Sequence, residues 1–76
     1  MDNKQSFNPG QTIYVVNPEY EFPMEEEIVS IENWKYGSVI HTNKSVINTG
    51  NAGRVFFTDK QQAEAELVRK REDFIL

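Results

Sequence analysis

The stretch Arg54–Gln61, which reads RVFFTDKQ, decides the fold because a strand pattern gives way to a helix pattern within it. Its first four residues are mostly β-branched or aromatic and favour a strand over 54–57. Thr58 followed three residues later by Gln61 is a capping box, in which the Thr58 hydroxyl accepts from the N–H of Gln61 and the Gln61 side chain reaches back. The sequence therefore predicts a helix that begins at Asp59.

The predicted helix spans 59–72 and consists of good helix formers, with Glu66 and Lys70 as a favourable i,i+4 pair. Its apolar stripe is narrow and comprises Ala63, Leu67 and Phe74, with Val68 and Ile75 beside them. A stripe of this width packs against one face of a sheet and leaves the rest of the helix in water. We therefore expect the helix to brace a β-rich body over 11–57.

Upstream of the boundary, three segments have strand character: 11–16, 27–32 and 38–42. In the first, Ile13 and Val15 point to one face and Tyr14 and Val16 to the other, so both faces should be covered, as in a curled sheet. In the second, the alternating pattern turns Val29 toward the core with Ile31. A hairpin at 34–37 should join the second and third strands as an antiparallel pair.

The remaining segments are predicted connections. Asn43–Gly53 is turn-rich, with only Val46-Ile47 offering a short extra strand or anchor, and Gly50-x-x-Gly53 is a turn without the Lys-Ser/Thr of a phosphate loop. Loop 19–24 carries aromatic side chains that are either pinned to the core or exposed. The fold predicted for the chain is α+β, with 1–76 as a single domain: a small, curled, SH3-like antiparallel sheet of about four strands with one C-terminal helix.

Composition narrows the class of function. The 76 residues include no cysteine, and the N-terminus has no signal pattern and the chain no membrane-length apolar run, so we expect a cytoplasmic protein with no membrane contact. The net charge is −4, and the glutamates are concentrated before Trp34, where Lys and Arg are absent after Gln5. This acidic half is either a solvated face or a surface for a basic region of another protein.

Groups for catalysis or metal binding are sparse. His41 is the only histidine, which excludes a site with two histidine ligands, and Ser30 and Ser38 near it form no recognisable triad. We predict no enzyme activity, no cofactor, no metal and no catalytic residue. The predicted partner-binding surface is aromatic and acidic and consists of Tyr20, Phe22, Glu25, Glu26, Glu27, Trp34 and Tyr36.

The roles of two groups of apolar residues stay open. Trp34 and Tyr36 flank the hairpin tip, where they either form a binding hot spot or pack under the sheet. The terminal Phe74, Ile75 and Leu76 either fold back beneath the helix or, with the helix, form a homodimer contact.

The segments Gly10–Val16 and Arg54–Thr58, followed by Ala63–Leu67, resemble small phage and prophage proteins of Gram-positive bacteria. The resemblance implies a mobile-element origin and the same SH3-like sheet with a C-terminal helix. With the small size and acidity, it favours a non-catalytic protein that binds and inhibits a host protein in the host cytoplasm, such as a defence or replication factor. The alternative is a small nucleic-acid-binding β-barrel, which would use the strand aromatics and the basic residues Arg54, Arg69, Lys70 and Arg71.

Overall fold

The structure is a computed structural model that describes the backbone of residues 7–75 and the side chains from Phe7 to Asp73. It contains five strands, one 3₁₀ turn and one α-helix. In chain order these are β1 (Thr12–Val15), β2 (Met24–Trp34), β3 (Gly37–Thr42), β4 (Val46–Asn48), the 3₁₀ turn (Thr49–Asn51), β5 (Phe56–Phe57) and α1 (Lys60–Ile75).

The strands form one antiparallel sheet in the order β4-β3-β2-β1-β5, which is open because β4 and β5 are its two edges within residues 7–75. β2 has 11 residues and belongs to both parts of the sheet, since it pairs with β1 through its beginning and with β3 through its end. This confirms the small curled α+β fold with a C-terminal helix. There are five strands rather than about four, because Val46-Ile47 begins a strand of its own.

Two apolar clusters lie on the two faces of β1. The inner cluster contains Ile13, Ile28, Ile40, Ile47 and Phe56, all buried, and the Phe7 ring packs 5.5 Å from the Phe56 ring. The outer cluster joins Val16 to Ala63 and Leu67 of α1, with Tyr14 and Phe57 packed against them. The prediction that both faces of the first strand are covered is therefore confirmed, and α1 supplies the outer cover.

A β-bulge interrupts β2 at Val29. Ile28 pairs with Thr42 and Ser30 with His41, so Val29 is an extra residue without a partner of its own on β3. Val29 is 58% exposed while Ile28 is buried, so the expectation that Val29 faces the core with Ile31 is wrong. Before the bulge the even-numbered residues of β2 face the inner cluster, and after it the odd-numbered residues do. The inner cluster therefore contacts Ile28 and, three positions later, the half-buried Ile31.

The start of α1 also differs from the prediction by one residue. Asp59 is the cap, since its Oδ1 accepts from the backbone N–H of Gln61 at 3.1 Å and its carbonyl accepts from the N–H of Ala63 at 3.1 Å. Thr58 therefore is not the capping residue, and the helix runs beyond the predicted end at 72. The predicted pair of Glu66 and Lys70 is confirmed, with 3.7 Å between Oε2 and Nζ.

Candidate functional site

The predicted partner-binding residues fall into two groups at opposite ends of β2. Tyr20 and Phe22 precede its first residue, Met24, whereas Trp34 is its last and Tyr36 follows it. A straight strand of this length spans about 30 Å at its usual rise per residue, and the bulge shortens that distance only in part. The structure therefore offers two separate aromatic surfaces rather than one.

The first surface is the hairpin tip, which we define as 34–39 with Asn48. Trp34 is 62% exposed and Tyr36 is 91% exposed, which answers the open question about them, since neither packs under the sheet. The turn is tight because Trp34 pairs directly with Gly37, whose φ of 150° suits glycine. The two rings border a depression of about 380 Å³ that also includes Val39.

Polar groups surround the aromatic rings of the hairpin tip. The Lys35 ammonium lies 5.5 Å from the centre of the Tyr36 ring, within the range of a cation–π contact. Ser38 donates its hydroxyl proton to Asn33 Oδ1 at 2.8 Å. The tip therefore combines large apolar area with a polar border, which is the composition of many protein interfaces.

The second surface is a groove between the loop before β2 and helix α1, which we call the loop–helix groove. It has a volume of about 430 Å³, and its lining residues are Glu21, Phe22, Glu64, Leu67, Val68, Arg71 and Glu72. Tyr20 and Phe22 are 49% and 72% exposed, so the loop aromatics are not pinned inside the core. The sequence predicted four of the helix residues in the groove only as parts of a helix that braces the sheet: Glu64, Leu67, Val68 and Glu72. Val68, which lies next to the narrow apolar stripe, was the signal of further apolar surface.

Side chains in the C-terminal half of α1 hold two neighbouring segments of the chain. Arg71 Nη1 donates to the carbonyl oxygens of Pro18 at 2.9 Å and Tyr20 at 3.0 Å. Lys70 Nζ donates to the carbonyl oxygen of Arg54 at 2.6 Å. The groove is thus built from a rigid helix and a loop that is fixed to it by side-chain hydrogen bonds.

The three consecutive glutamates of β2 divide between the two faces of the sheet. Glu25 pairs with Tyr14 and Glu27 with Thr12, so both carboxylates lie on the outer face, which also carries α1. Glu26 instead is 6% exposed and lies opposite Ile13. The structure therefore removes Glu26 from the predicted partner-binding surface.

Hydroxyl groups satisfy the buried Glu26 carboxylate. Its Oε1 accepts from Thr42 Oγ1 at 2.6 Å and from Ser45 Oγ at 2.7 Å. Thr42 and Ser45 lie at the turn between β3 and β4, so this carboxylate connects β2 to that turn. The sequence signal for this contact was the pair of hydroxyl residues Thr42 and Ser45, three positions apart. It was missed because residues 43–53 were interpreted only as a turn-rich connection.

The basic residues of the nucleic-acid alternative are engaged in contacts within the protein. Arg54 Nη2 donates to Asn51 Oδ1 at 3.1 Å, and Arg69 Nε donates to Glu66 Oε1 at 3.2 Å. The Arg69 hydrogen bond, with the positive charges of Arg69 and Lys70, lowers the pKa of Glu66. Lys70 and Arg71 donate to backbone carbonyls, so these four cations do not form an unoccupied basic patch.

His41 lies on β3 and its Nε2 is 2.9 Å from Glu32 Oε1, with both side chains partly exposed. Ser30 pairs with His41 across the two strands, yet no hydrogen bond joins their side chains in the part of the chain that the structure describes. The same part of the chain contains no group of three or more potential metal-ligating side chains.

Comparison with protein-family models, with curated proteins and with solved structures finds no match for this chain. Within residues 7–75, no helix combines the length and apolar character that a membrane crossing requires. The side chains of Phe74 and Ile75, and all of Leu76, lie outside the described residues, so the homodimer contact predicted there stays a prediction.

Proposed function

We propose that this chain is a small phage-type protein that acts without catalysis, by binding a host protein such as a defence or replication factor and inhibiting it. The observation that supports the proposal is the hairpin tip. Tyr36 and Trp34 expose most of their surface at neighbouring positions and border one depression. Tryptophan and tyrosine dominate binding hot spots because each buries a large area with few rotatable bonds.

The scaffold of the hairpin tip suits a binding role. β2 and β3 pair continuously from Ser30 to Gly37, so the tip projects from a hydrogen-bonded ladder. A rigid support reduces the entropy that the aromatic side chains lose on binding. The outer face adds the exposed Glu25 and Glu27 at the other end of β2, which gives the molecule an acidic side away from the tip.

Nucleic-acid binding receives less support. Affinity for phosphate backbones depends on cations that release counterions, and the chain has a net charge of −4. Arg54, Lys70 and Arg71 donate to groups of the protein itself. The host-protein interpretation therefore remains the proposed function.

A capture experiment tests this proposal. The affinity-tagged chain is incubated with lysate of a Gram-positive bacterium, in parallel with the double variant Trp34→Ala/Tyr36→Ala and the control Val46→Ala, which shortens another exposed apolar side chain, on β4. We expect one host protein at one-to-one stoichiometry with the wild type and the control. The double variant should weaken its binding about 100-fold, since each aromatic hot-spot residue contributes about tenfold or more.

Circular dichroism shows whether the double variant has kept its fold. Recovery of no stoichiometric protein by the wild type would contradict the proposal. Equal capture by the folded double variant would contradict the role of the hairpin tip.

A further inference from the structure

The loop–helix groove exposes apolar side chains that come from two different elements. Phe22 of the loop is 72% exposed and Val68 of α1 is 58% exposed, while Leu67 between them is buried. Exposed apolar side chains that meet in one concave space differ from scattered surface ones, because together they can enclose a single apolar group. The groove volume of about 430 Å³ lies within the range of sites that hold large side chains or small ligands.

Carboxylates border this apolar floor. Glu21, Glu64 and Glu72 line the groove, and none of them has an ion-pair partner among residues 7–73. Arg71 is the one cation in the lining, and its Nη1 is occupied by the carbonyls of Pro18 and Tyr20. Three carboxylates against one guanidinium leave the groove negative, so its electrostatic complement is a cationic group.

We propose that the loop–helix groove binds a basic amphipathic segment of another protein. One large apolar side chain of the segment lies between Phe22 and Val68, and flanking Lys or Arg side chains meet the carboxylates of Glu21, Glu64 and Glu72. The inference goes beyond the proposed function, because this groove lies at the opposite end of β2 from the hairpin tip and has its own partner chemistry.

Charge also distinguishes this occupant from a second copy of the chain. In a two-fold dimer the same patch meets itself, so a groove with an excess of carboxylates would face another with the same excess. Like charges brought together at an interface oppose association. A segment rich in Lys or Arg has the opposite effect.

Three fluorescein-labelled peptides of equal length test the proposal by fluorescence anisotropy with the full chain. One is a Lys/Leu amphipathic helix, the second replaces every Leu by Ser, and the third replaces every Lys by Glu. We expect saturable one-to-one binding of the Lys/Leu peptide only, weakened by added salt. Phe22→Ala should weaken it about tenfold, and Glu64→Gln/Glu72→Gln should weaken it several-fold at low salt.

Controls locate the interaction and separate it from the hairpin tip. Tyr36→Ala should bind the Lys/Leu peptide as the wild type does, and amide shifts in the NMR spectrum should change at 20–22 and 64–72. Equal binding of the Lys/Ser peptide, or unchanged affinity in Phe22→Ala, would overturn the proposal. So would a wild-type dimer in sedimentation that Phe22→Ala converts to monomer, because the occupant would then be a second copy.

Discussion

A single carboxylate, Glu26, connects the long strand β2 to the turn that follows β3. It is buried beside the inner cluster and accepts from the hydroxyls of Thr42 and Ser45. A buried carboxylate is costly unless hydrogen bonds replace its water, and here two hydroxyl donors do so. The position of Glu26 is therefore a structural requirement of the fold, in contrast to its neighbours Glu25 and Glu27.

Replacing this carboxylate should destabilise the protein. Glu26→Leu removes the acceptor that Thr42 and Ser45 share, and we expect the free energy of unfolding to fall by about 2 kcal/mol, as for hydrogen bonds to a charged group. Glu25→Leu changes an exposed residue of the same strand and should alter stability by less than about 0.5 kcal/mol. Urea unfolding measures both. Equal stability of Glu26→Leu and the wild type would show that these hydrogen bonds contribute no more than the apolar burial of leucine at the same position.

The sequence could not assign the three glutamates to faces, for a reason visible at residue scale. A period of two that starts from Val29 and Ile31 directs Glu27 inward and Ile28 outward, whereas the bulge at Val29 reverses that order. The spacing of three between Ile28 and Ile31 was the available sign that one period does not fit the whole strand. In β1 no bulge intervenes, and there the alternation of Ile13 with Tyr14 was predicted correctly.

At the scale of elements, the start of α1 is set by Asp59. Both Thr and Asp are good caps, so the sequence Thr58-Asp59 contains two candidates, and only the backbone geometry selects between them. Asp59 accepts from the Gln61 N–H in the structure. The existence of the helix was predictable from its composition, while its first residue was not.

Two alanine variants separate the candidate caps. Asp59→Ala should lower the free energy of unfolding by about 1 kcal/mol, because it leaves a helix N–H without its acceptor. Thr58→Ala should change it by only a few tenths of a kcal/mol, as expected for an exposed residue outside the cap. Thermal unfolding followed by circular dichroism at 222 nm compares them. The reverse order of the two effects would restore Thr58 as the cap.

At the scale of the whole molecule, α1 lies outside the curl of the sheet and contacts β1 and β5 through a small apolar area. Ala63 and Leu67 are its buried residues among those described, and they pack on Val16. The remaining attachment comes from Lys70 and Arg71, which donate to carbonyls of Arg54, Pro18 and Tyr20. Lys70 and Arg71 therefore connect the helix to segments on both sides of β1.

This attachment predicts that Arg71 controls the mobility of the loop as well as the stability of the helix. Arg71→Met keeps most of the apolar stem but removes both hydrogen bonds, and we expect the free energy of unfolding to fall by about 1 kcal/mol. Arg69→Met is the matched control, since it removes the same charge from a side chain that contacts Glu66 on its own helix. Hydrogen exchange in Arg71→Met should accelerate at residue 17, at 19–22 and in the last turns of α1, while the inner-cluster strands keep their protection. If Arg69→Met produced the same local acceleration, the cause would be the lost charge. If exchange rose equally across the inner strands, the helix and sheet would unfold as one unit, and the loop–helix groove could not open independently of the core.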